Sequence, residues 1–458
     1  MRFSSIVLLI IYGLILKAEE RPNIIFFLAD DQRADVLGAY GNTFAITPTL
    51  DRLASEGVLF ENAFCQAPIC AASRATLFTG LTQRTHGYNF GKPPVPSKYI
   101  ETSYPAALKS SGYRVGFAGK YGVKFQKPGL RKTFDFYQYI NRSPYIKKLK
   151  NGTERHETDL CADAAIRFIE SAPKNSPFCL SVSFNATHAE DKDRRPGYHF
   201  QWPESADGLY EATEFPEPKL SNPEFFEALP DFLKNPNELS RERFFWRWDT
   251  PEKYQANIQA YFRMLTGIDN AIARVLEALE QQGLSENTVI IYTADNGFHM
   301  GDRGLAGKWN PYEQSLSIPL IIFDPRLTPE NRGRSLKEII NNVDLPATLL
   351  DLAHVEIPEI YQGQSLVPLL QAEGSIPWRK DTFFEHAFRR YNDWHTVRGE
   401  RFKYSKFYDT PHESLFDLKN DPNELKNLAS NPEYAHILKQ KQERLEFYLT
   451  KFPKANGR

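Results

Sequence analysis

The sequence has few cysteines, almost no net charge and no membrane-length apolar run beyond its N-terminus. Among 458 residues there are four cysteines, Cys65, Cys70, Cys161 and Cys179, which are too few for a disulfide scaffold. The formal net charge of −1 creates no overall field that would favour nucleic acid or an acidic membrane surface. We therefore expect no nucleic-acid partner and no stable membrane insertion, while the length is sufficient for a large buried core.

The first residues of the chain have the pattern of a secretory signal peptide. Arg2 supplies a positive charge, Ile6–Leu16 is apolar, and Ala18 is an acceptable residue before a cleavage point. The apolar segment is too short to span a bilayer comfortably. We predict that residues 1–18 are a signal peptide and that the mature protein is secreted or periplasmic.

Continuous apolar runs of strand length alternate with helical segments over most of the chain. Asn23–Ala29 is one such run, and Tyr254–Gln282 carries apolar residues at helical spacing. Strands that are apolar on both faces are typical of a parallel sheet covered by helices. We predict an α/β fold in which a large mixed, mostly parallel sheet is sandwiched by helices.

The pattern changes after about Ser375, where short segments of alternating character indicate antiparallel strands. An amphipathic helix follows near the C-terminus, at residues 434–452. We predict a large N-terminal domain over residues 19–375 and a small C-terminal α+β subdomain with an antiparallel sheet over residues 376–458.

A possible anion site surrounds Cys70, where residues 70–74 read Cys-Ala-Ala-Ser-Arg. The following residues can form a short helix that stops at Gly80, with Ser73 as its N-cap and Cys70 just outside the first turn. A helix N-terminus favours an anion, and the fork of Arg74 suits a tetrahedral oxyanion. From these residues alone, a buried cysteine at a loop–helix junction is the alternative.

Acidic and amide side chains follow two of the predicted strands. Asp30 and Asp31 come directly after the first strand, and Asp295 and Asn296 follow the strand that ends near Tyr292. Ligands of open α/β sheets bind at the carboxyl ends of strands, and oxygen-only ligands are typical of calcium or magnesium sites. A helix N-cap at the first pair and an Asx turn at the second are the structural alternatives.

Basic side chains and histidines occupy further strand ends and loops. Lys120 and His188 each follow a predicted strand, and Lys308 lies in a polar loop. A histidine at a strand end can act as a general acid, whereas most lysines are solvated surface charges. His86 and His299 lie in loops, where they could contact a substrate or have no special role.

The order of these motifs resembles the type I, formylglycine-dependent sulfatases of the alkaline phosphatase superfamily. That family has a Cys-x-Pro-x-Arg motif followed by a helix that ends in Leu/Phe-Thr-Gly, and Cys70, Arg74 and Leu77–Gly80 match it. The resemblance implies an alkaline-phosphatase-like fold with a catalytic domain over residues 19–375. It also implies that a formylglycine-generating or sulfatase-maturating enzyme oxidises Cys70 to formylglycine, whose hydrated form is the nucleophile.

The resemblance assigns roles to residues that match the family's motifs. It implies that Ca²⁺ is held by Asp30, Asp31, Asp295, Asn296 and the modified Cys70. It implies catalytic roles for Cys70, Arg74, Lys120, His188 and Lys308. The expected substrate-binding residues are His86, Lys120, His188, His299 and Lys308.

Two positions depart from the family's pattern. Ala72 stands where the family has proline, in the segment that the maturation enzyme reads. Gly122 stands where the pattern Lys-x-His, which begins here at Lys120, has its histidine. Lys124, His86 and His299 are the candidates to take over the role of that histidine.

The expected function is that of an exported, calcium-dependent sulfatase. Its expected substrate is a sulfated polysaccharide fragment, because export and a high aromatic content suit a carbohydrate cleft. Two alternatives remain: a phosphonate or phosphodiester hydrolase of the same superfamily, and a catalytically inactive protein that binds sulfated glycans.

Overall fold

A computed structural model describes residues 21–90, 93–173, 176–193, 195, 198–372, 374–388 and 392–455. The signal peptide that we predict at residues 1–18 lies outside these residues. Within them, none of the helices combines the length and the apolar character needed to cross a membrane.

Strands and helices alternate along the chain, and most were expected from the sequence pattern. The strands are β1 Asn23–Ala29, β2 Val58–Phe64, β3 Arg114–Gly119, β4 Phe136–Tyr139, β5 Ile146–Lys148, β6 Glu154–His156, β7 Phe178–Ser183, β8 Thr288–Ala294, β9 His299–Met300, β10 Ala306–Gly307, β11 Leu320–Phe323, β12 Arg334–Asn341, β13 Asp381–His386, β14 Trp394–Gly399, β15 Phe402–Phe407 and β16 Glu413–Asp417. The helices are α1 Pro48–Glu56, α2 Cys70–Thr79, α3 Gln83–His86, α4 Tyr104–Ser110, α5 Glu157–Glu170, α6 Pro223–Glu227, α7 Asp231–Lys234, α8 Leu239–Arg247, α9 Pro251–Gln281, α10 Glu313–Leu316, α11 Leu345–Leu352, α12 Val367–Gln371 and α13 Ala435–Lys451.

The main sheet has eight strands in the order β12-β2-β11-β8-β1-β7-β3-β4. All neighbours pair in parallel except β11, which is antiparallel to both β8 and β2. Every residue of β1 and β8 is buried, as expected for apolar strands in the middle of a covered sheet. The prediction of a large, mostly parallel sheet is confirmed.

A second sheet of four antiparallel strands, β13-β14-β15-β16, forms near the C-terminus. Helix α13 packs against β14 and β15. This sheet begins at Asp381, shortly after the predicted domain boundary at residues 375 and 376, and that boundary stays a prediction.

Helix α2 begins earlier than the sequence pattern indicated. Cys70 is its first residue and Ile69 is its N-cap, so the prediction that Ser73 caps the helix is wrong. The Ser73 hydroxyl donates to the backbone carbonyl of Asp295 at 2.5 Å and accepts from Asn342 Nδ2 at 2.8 Å. Tertiary hydrogen bonds therefore occupy the side chain that a local rule assigned to capping.

The parallel pairing brings several loops to one edge of the main sheet. β1, β3, β7 and β8 run in the same direction, so their carboxyl ends meet there. Asp30 follows β1, Lys120 follows β3, Asn185 comes after β7 and Asp295 follows β8. Helix α2 begins at the same edge, because its Ser73 and Arg74 side chains bond Asp295.

Candidate active site

The four oxygen-bearing side chains predicted as metal ligands form one buried group, which we call the strand-end cluster: Asp30, Asp31, Asp295 and Asn296. Each is at most 1% exposed. The backbone N–H of Asp31 donates to Asp295 Oδ1 at 3.2 Å, and Asn296 Nδ2 donates to Asp31 Oδ1 at 2.8 Å. Asp31 has a φ of 59°, in the left-handed region. This conformation interrupts the alternation of a strand and lets two consecutive carboxylates reach the same site.

Cys70 lies beside this cluster. Its Sγ and one carboxylate oxygen each of Asp30 and Asp295 all lie within 4.8 Å of one another. The cysteine is 6% exposed. The structure therefore does not bury residue 70 in an apolar core but places it against acidic side chains.

Three basic side chains reach the same group. Arg74 Nε donates to Asp295 Oδ2 at 2.7 Å, and Arg74 Nη1 donates to the backbone carbonyl of Lys120 at 2.9 Å. The Lys120 ammonium contacts Asp30, and the Lys308 ammonium contacts Asp31. Three cations thus face three carboxylates in a buried site.

Burial and the neighbouring charges shift the pKa values of Asp30 and Asp295, the two carboxylates that flank Arg74, in opposite directions. Burial opposes ionisation of Asp30, but Lys120, Arg74 and Lys308 lower its pKa to about 2. Burial and the Asp30 carboxylate raise the pKa of Asp295 to about 6, although Arg74 works in the opposite direction. The same environment therefore lowers the pKa of Asp30 and raises the pKa of Asp295.

The strand-end cluster has the composition of a site for a hard divalent cation. Asp30 Oδ1, Asp31 Oδ2 and Asn296 Oδ1 are buried and accept no hydrogen bond from the described residues. Buried oxygens without partners are rare in folded proteins and are explained by a bound ion or water. Three convergent oxygen ligands of this kind suit Ca²⁺ or Mg²⁺ better than a softer metal.

His188 approaches the cluster from the loop after β7. Its Nε2 lies 3.6 Å from Asp31 Oδ2, and its Nδ1 lies 2.7 Å from the carbonyl of Ala189. Arg142 Nη1 lies 3.0 Å from His188 Nε2. Since the Ala189 carbonyl can only accept, Nδ1 carries the proton and Nε2 can accept from Arg142 Nη1, which also contacts Nδ1. Burial and Arg142 lower the pKa of His188 well below its ordinary value, in agreement with a neutral ring.

The loop that carries His188 is held by its neighbours. The carboxylate of Glu157, on α5, accepts from the backbone N–H of Asn185 at 3.2 Å and of Ala186 at 2.9 Å. Tyr145 OH donates to the carbonyls of Asn185, at 3.1 Å, and of His188. These bonds fix the loop before any substrate arrives.

Two of the predicted substrate-binding histidines lie in other hydrogen-bond networks. His86 Nε2 is 3.3 Å from Thr76 Oγ1, its Nδ1 accepts from the backbone N–H of Tyr88, and burial lowers its pKa to about 3. His299 Nε2 is 3.1 Å from Asn310 Oδ1, and burial lowers its pKa to about 4. Among the described residues, neither ring bonds a member of the strand-end cluster. The substrate-binding roles of His86 and His299 stay predictions without a supporting contact.

Gly122 has a structural reason to lack a side chain. Its φ is 69°, and a Cβ built on it would lie 2.8 Å from Arg74 Cδ. A histidine at this position would press on the arginine that holds Asp295. Lys124, one candidate to replace this histidine, is exposed.

Arg142 is the site residue that sequence reasoning missed. It follows β4, which pairs in parallel with β3, so it leaves the sheet at the same edge as Lys120. The sequence could have indicated Arg142 as a site residue only if Phe136–Tyr139 had been recognised as a strand beside β3.

Family models and known relatives identify the family of this chain. The model described as Sulfatase matches residues 22–355, and the one described as N-sulphoglucosamine sulphohydrolase, C-terminal, matches residues 301–451. The chain is 28% identical to N-acetylglucosamine-6-O-sulfatase of Bacteroides thetaiotaomicron, over 93% of this chain and 86% of that protein. It is 29% identical to an arylsulfatase of Clostridium perfringens, over 90% of this chain and 91% of that protein.

Solved structures resemble the chain over nearly its whole length. BT4656, in complex with its substrate D-glucosamine-2-N,6-O-disulfate, has a TM-score of 0.79 at 26% identity and covers 94% of this chain and 98% of its own. A phosphonate monoester hydrolase of Agrobacterium radiobacter has a TM-score of 0.80 at 24% identity, with 94% and 96% coverage, which shows the fold alone. Since the Sulfatase model matches most of the chain and the relatives are sulfatases that align end to end, this chain belongs to the sulfatase family of the alkaline phosphatase superfamily and is a sulfuric ester hydrolase.

Proposed function

We propose that this chain is an exported, calcium-dependent sulfatase that acts on sulfated glycosaminoglycan saccharides through a formylglycine made from Cys70. One observation carries the proposal. The Sγ of Cys70 lies against Asp30 and Asp295, in a cluster whose buried oxygens lack partners and whose surroundings supply three cations. A buried cysteine with only a structural role does not require acidic and basic side chains around it.

Arg74, Lys120 and Lys308 are suited to bind the sulfate group of the substrate. Arg74 is fixed by Asp295, and burial works against its charge, but Asp295 and Asp30 raise the pKa of Arg74 above its ordinary value. Its Nη2 is buried and donates no hydrogen bond to the described residues, so one donor remains for an oxyanion. Cations held in a water-poor site stabilise charge that develops during the reaction.

Asp30, Asp31, Asp295 and Asn296 would hold the calcium ion together with one oxygen of the modified residue 70. The partnerless oxygens on three of these side chains support this assignment. When bound, the ion supplies Lewis-acid polarisation of sulfate and nucleophile oxygens. Calcium is favoured over magnesium because the family that the motifs resemble uses calcium.

The nucleophile depends on maturation of Cys70. A formylglycine-generating or sulfatase-maturating enzyme would oxidise the Cys70 thiol to an aldehyde, and the hydrated aldehyde supplies the attacking hydroxyl. Ala72 in the usual proline position is then a variation that the maturation enzyme accepts. Ala72 is fully buried against Ile69 and Trp309, which gives this alanine a packing role in the folded protein.

Lys308 would protonate the departing sugar oxygen, whereas His188, predicted for the same role, is neutral with its proton on Nδ1 and would first have to take up a proton at Nε2. As the sulfur–oxygen bond to the sugar breaks, that oxygen becomes an alkoxide and requires a proton. Lys308 contacts Asp31, and His188 Nε2 lies 3.6 Å from the same carboxylate, so both groups flank one side of the cluster. General acid catalysis of this kind contributes roughly 100-fold or more.

The proposed substrate class, sulfated glycosaminoglycan saccharides, is inferred from the relatives of this chain. Besides its similarity to the N-acetylglucosamine-6-O-sulfatase, the chain is 27% identical to a Δ4,5-hexuronate-2-O-sulfatase of Bacteroides thetaiotaomicron, over 96% of this chain and 91% of that protein. The predicted signal peptide supports export, which would bring the enzyme to extracellular or periplasmic glycans.

Mass spectrometry and turnover of the full chain, produced together with a maturation enzyme, test the proposal. We expect the peptide with residue 70 to carry an aldehyde and the enzyme to hydrolyse an aryl sulfate faster than an aryl phosphate or phosphonate. Cys70→Ala should abolish turnover, whereas Cys65→Ala, at a buried cysteine on the same segment, should retain the aldehyde. Full sulfatase activity in Cys70→Ala would refute the mechanism. Faster phosphonate turnover would favour the phosphohydrolase alternative, and an unmodified Cys70 with retained glycan affinity would favour the inactive binding protein.

Calcium is tested by removal and return. A chelator should abolish aryl sulfate turnover, and Ca²⁺ should restore it better than Mg²⁺. Calorimetry should show one tight Ca²⁺ site in the wild type that Asn296→Ala weakens. Turnover that survives exhaustive chelation would contradict the metal assignment.

A further inference from the structure

One guanidinium at the edge of the site has no acidic partner. Among the described residues, no carboxylate lies within the 4.0 Å of an ion pair from Arg142, and the Arg142 Nε atom is buried without a hydrogen-bond acceptor. Its closest polar neighbour is the neutral ring of His188. A partly buried guanidinium that keeps a buried donor without an acceptor has capacity left for a ligand.

The acids nearest to Arg142 are already engaged elsewhere. Asp191 pairs with Arg243 at 3.0 Å and with Arg247. Glu190 accepts from the Ser143 hydroxyl and from the backbone N–H of Lys192 at 3.1 Å. Burial opposes the charge of Arg142, and Tyr145, Asp191, Asp30 and Glu190 raise the pKa of Arg142 from a distance, but none of the described carboxylates is within ion-pair distance.

The position of Arg142 is fixed by the fold. Ile140 N–H donates to the Gly119 carbonyl at 3.1 Å, which extends the β3–β4 pairing up to this loop. Tyr145, at the other end of the loop, bonds the backbone of Asn185 and His188. A guanidinium held in place in this way loses little entropy when it binds a ligand.

Arg142 is close to the reacting group but separate from the three cations assigned to it. Contacts of 3.0 Å and 3.6 Å lead from Arg142 through His188 Nε2 to Asp31. Arg74, Lys120 and Lys308 contact the strand-end cluster directly, whereas Arg142 does not. An anion at Arg142 would thus belong to the same sugar as the scissile ester or to its immediate neighbour.

We propose that Arg142 is a specificity-determining residue that binds a second anionic group of the substrate, a sulfate or a carboxylate, beside the scissile sulfate ester. This inference rests on the proposed function, because only a saccharide with at least two anions offers such a group. It predicts that the enzyme prefers doubly charged saccharides to singly charged ones.

The test compares three saccharides in the matured, calcium-loaded enzyme. N-Acetylglucosamine 6-O-sulfate has one anion and no ammonium group, glucosamine 2-N,6-O-disulfate has a second sulfate, and an unsaturated 2-O-sulfated hexuronate disaccharide has a carboxylate. For the preferred two-anion substrate, the kcat/KM advantage over the single-anion ester should fall about 30-fold in Arg142→Ala, the usual effect of losing a charge-assisted hydrogen bond. Arg142→Lys should keep part of this advantage. Whichever doubly charged saccharide responds identifies the second anion.

A matched control separates this effect from a general loss of positive charge. Arg155→Ala removes an arginine that pairs with Asp163 at 2.8 Å, away from the strand-end cluster, and should leave the substrate ratio unchanged. If Arg142 only positions His188, all saccharides and an aryl sulfate will lose activity by the same factor in Arg142→Ala. An unchanged ratio of this kind would overturn the inference.

Binding measurements keep the inference testable without turnover. In a Cys70→Ala background, calorimetry should show that Arg142→Ala weakens binding of the preferred two-anion saccharide and leaves the single-anion ester unaffected. Equal affinities would refute the role of Arg142. If the wild type hydrolyses no sulfate ester at all, the proposed function fails, whereas an unchanged ratio in an active enzyme refutes Arg142 alone.

Discussion

Two clusters of buried charge in this molecule differ in how their carboxylate oxygens are satisfied. In the strand-end cluster, Asp30, Asp31 and Asn296 each keep one oxygen without a hydrogen-bond partner. In the second, which we call the junction cluster, Glu313 and Glu424 meet Arg398 and Lys403. There, Glu313 Oε1 accepts from Lys403 at 2.9 Å and Glu313 Oε2 accepts from Arg398 at 3.3 Å.

The difference separates a binding site from a structural joint. The junction cluster connects α10, just after the Lys308 loop, with strands β14 and β15 of the C-terminal sheet. Lys403 contacts both Glu313 and Glu424, and Arg398 also pairs with Glu313. Each carboxylate therefore has a cation and the cluster requires no ligand, although Glu424 Oε1 makes no hydrogen bond with the described residues. The strand-end cluster is more deeply buried than Glu313, whose side chain is 21% exposed, yet it retains ligand capacity, and retained capacity in a buried site indicates function.

Loss of an oxygen ligand should have the largest effect. Asp30→Asn removes a carboxylate that lies within 4.8 Å of Cys70 Sγ, so we expect turnover of an aryl sulfate to fall roughly 1,000-fold. Calorimetry should show weaker Ca²⁺ binding, while far-UV circular dichroism should remain that of a folded protein. Wild-type turnover in Asp30→Asn would show that the strand-end cluster is not a functional site.

Loss of the junction lysine should reduce stability instead of turnover. Lys403→Met leaves Glu313 and Glu424 buried without their shared cation, which should lower the free energy of unfolding by about 4 kcal/mol. Urea unfolding measures this loss, and kcat at low temperature should change little. Lys406→Met, on the same strand but less buried, is the control and should have a small effect. Equal losses in both variants would show that the junction cluster is not a structural joint.

Glu385, on β13, should make the free energy of unfolding depend on pH. Burial raises the pKa of Glu385 from 4.5 to about 7, while Arg84, Gln66 and Lys454 act in the opposite direction. The folded state thus holds a proton that the unfolded state releases. This contribution to stability is full below pH 4.5, falls as the pH rises to about 7, and amounts to about 3 kcal/mol.

Glu385→Gln isolates this contribution. The amide cannot ionise, so the difference between the wild-type and variant unfolding free energies should change by that amount between pH 4.5 and 7 and stay flat above. His395, whose Nε2 is 3.8 Å from Glu385, faces the same carboxylate and is unchanged in both proteins. Parallel pH profiles would contradict the prediction.

A methyl group beside Arg74 should have the smallest effect. Gly122→Ala places a Cβ 2.8 Å from Arg74 Cδ, and we expect the displaced guanidinium to lower kcat/KM about tenfold. Gly129→Ala is the matched control, because Gly129 also has a positive φ of 85° but has open space around its Cβ position. Gly129→Ala should lose only some stability. If both variants lose the same activity, backbone strain rather than the contact with Arg74 is responsible.

Local pattern was sufficient for most elements of the fold. Asn23–Ala29 was predicted as a strand with the bounds that the structure has, because its continuous apolar character defines it. The C-terminal strands were predicted within a residue or so. The sequence pattern gave no prediction for α6, α7 and α8, because helices this short carry little periodic signal.

The site was predicted where consecutive residues carry it and missed where it depends on strand order. Asp30, Asp31, Asp295 and Asn296 stand at strand ends in the sequence, and the sheet brings them together. Arg142 has no motif around it and reaches the site only because β4 pairs with β3. His86, His188 and His299 were all predicted to bind substrate, yet only His188 of these three contacts the cluster.

The sequence by itself determined the α/β architecture, the residue types at the strand ends and the order of the sulfatase motifs. These depend on apolar periodicity and on short contiguous segments, which are local properties of the chain. Only the tertiary structure decided that Cys70 begins a helix beside Asp30 and Asp295, that a side chain at Gly122 would contact Arg74, and that none of the described carboxylates forms an ion pair with Arg142. Such facts depend on which strands become neighbours, and long-range pairing is set by the packing of the whole core rather than by any one segment.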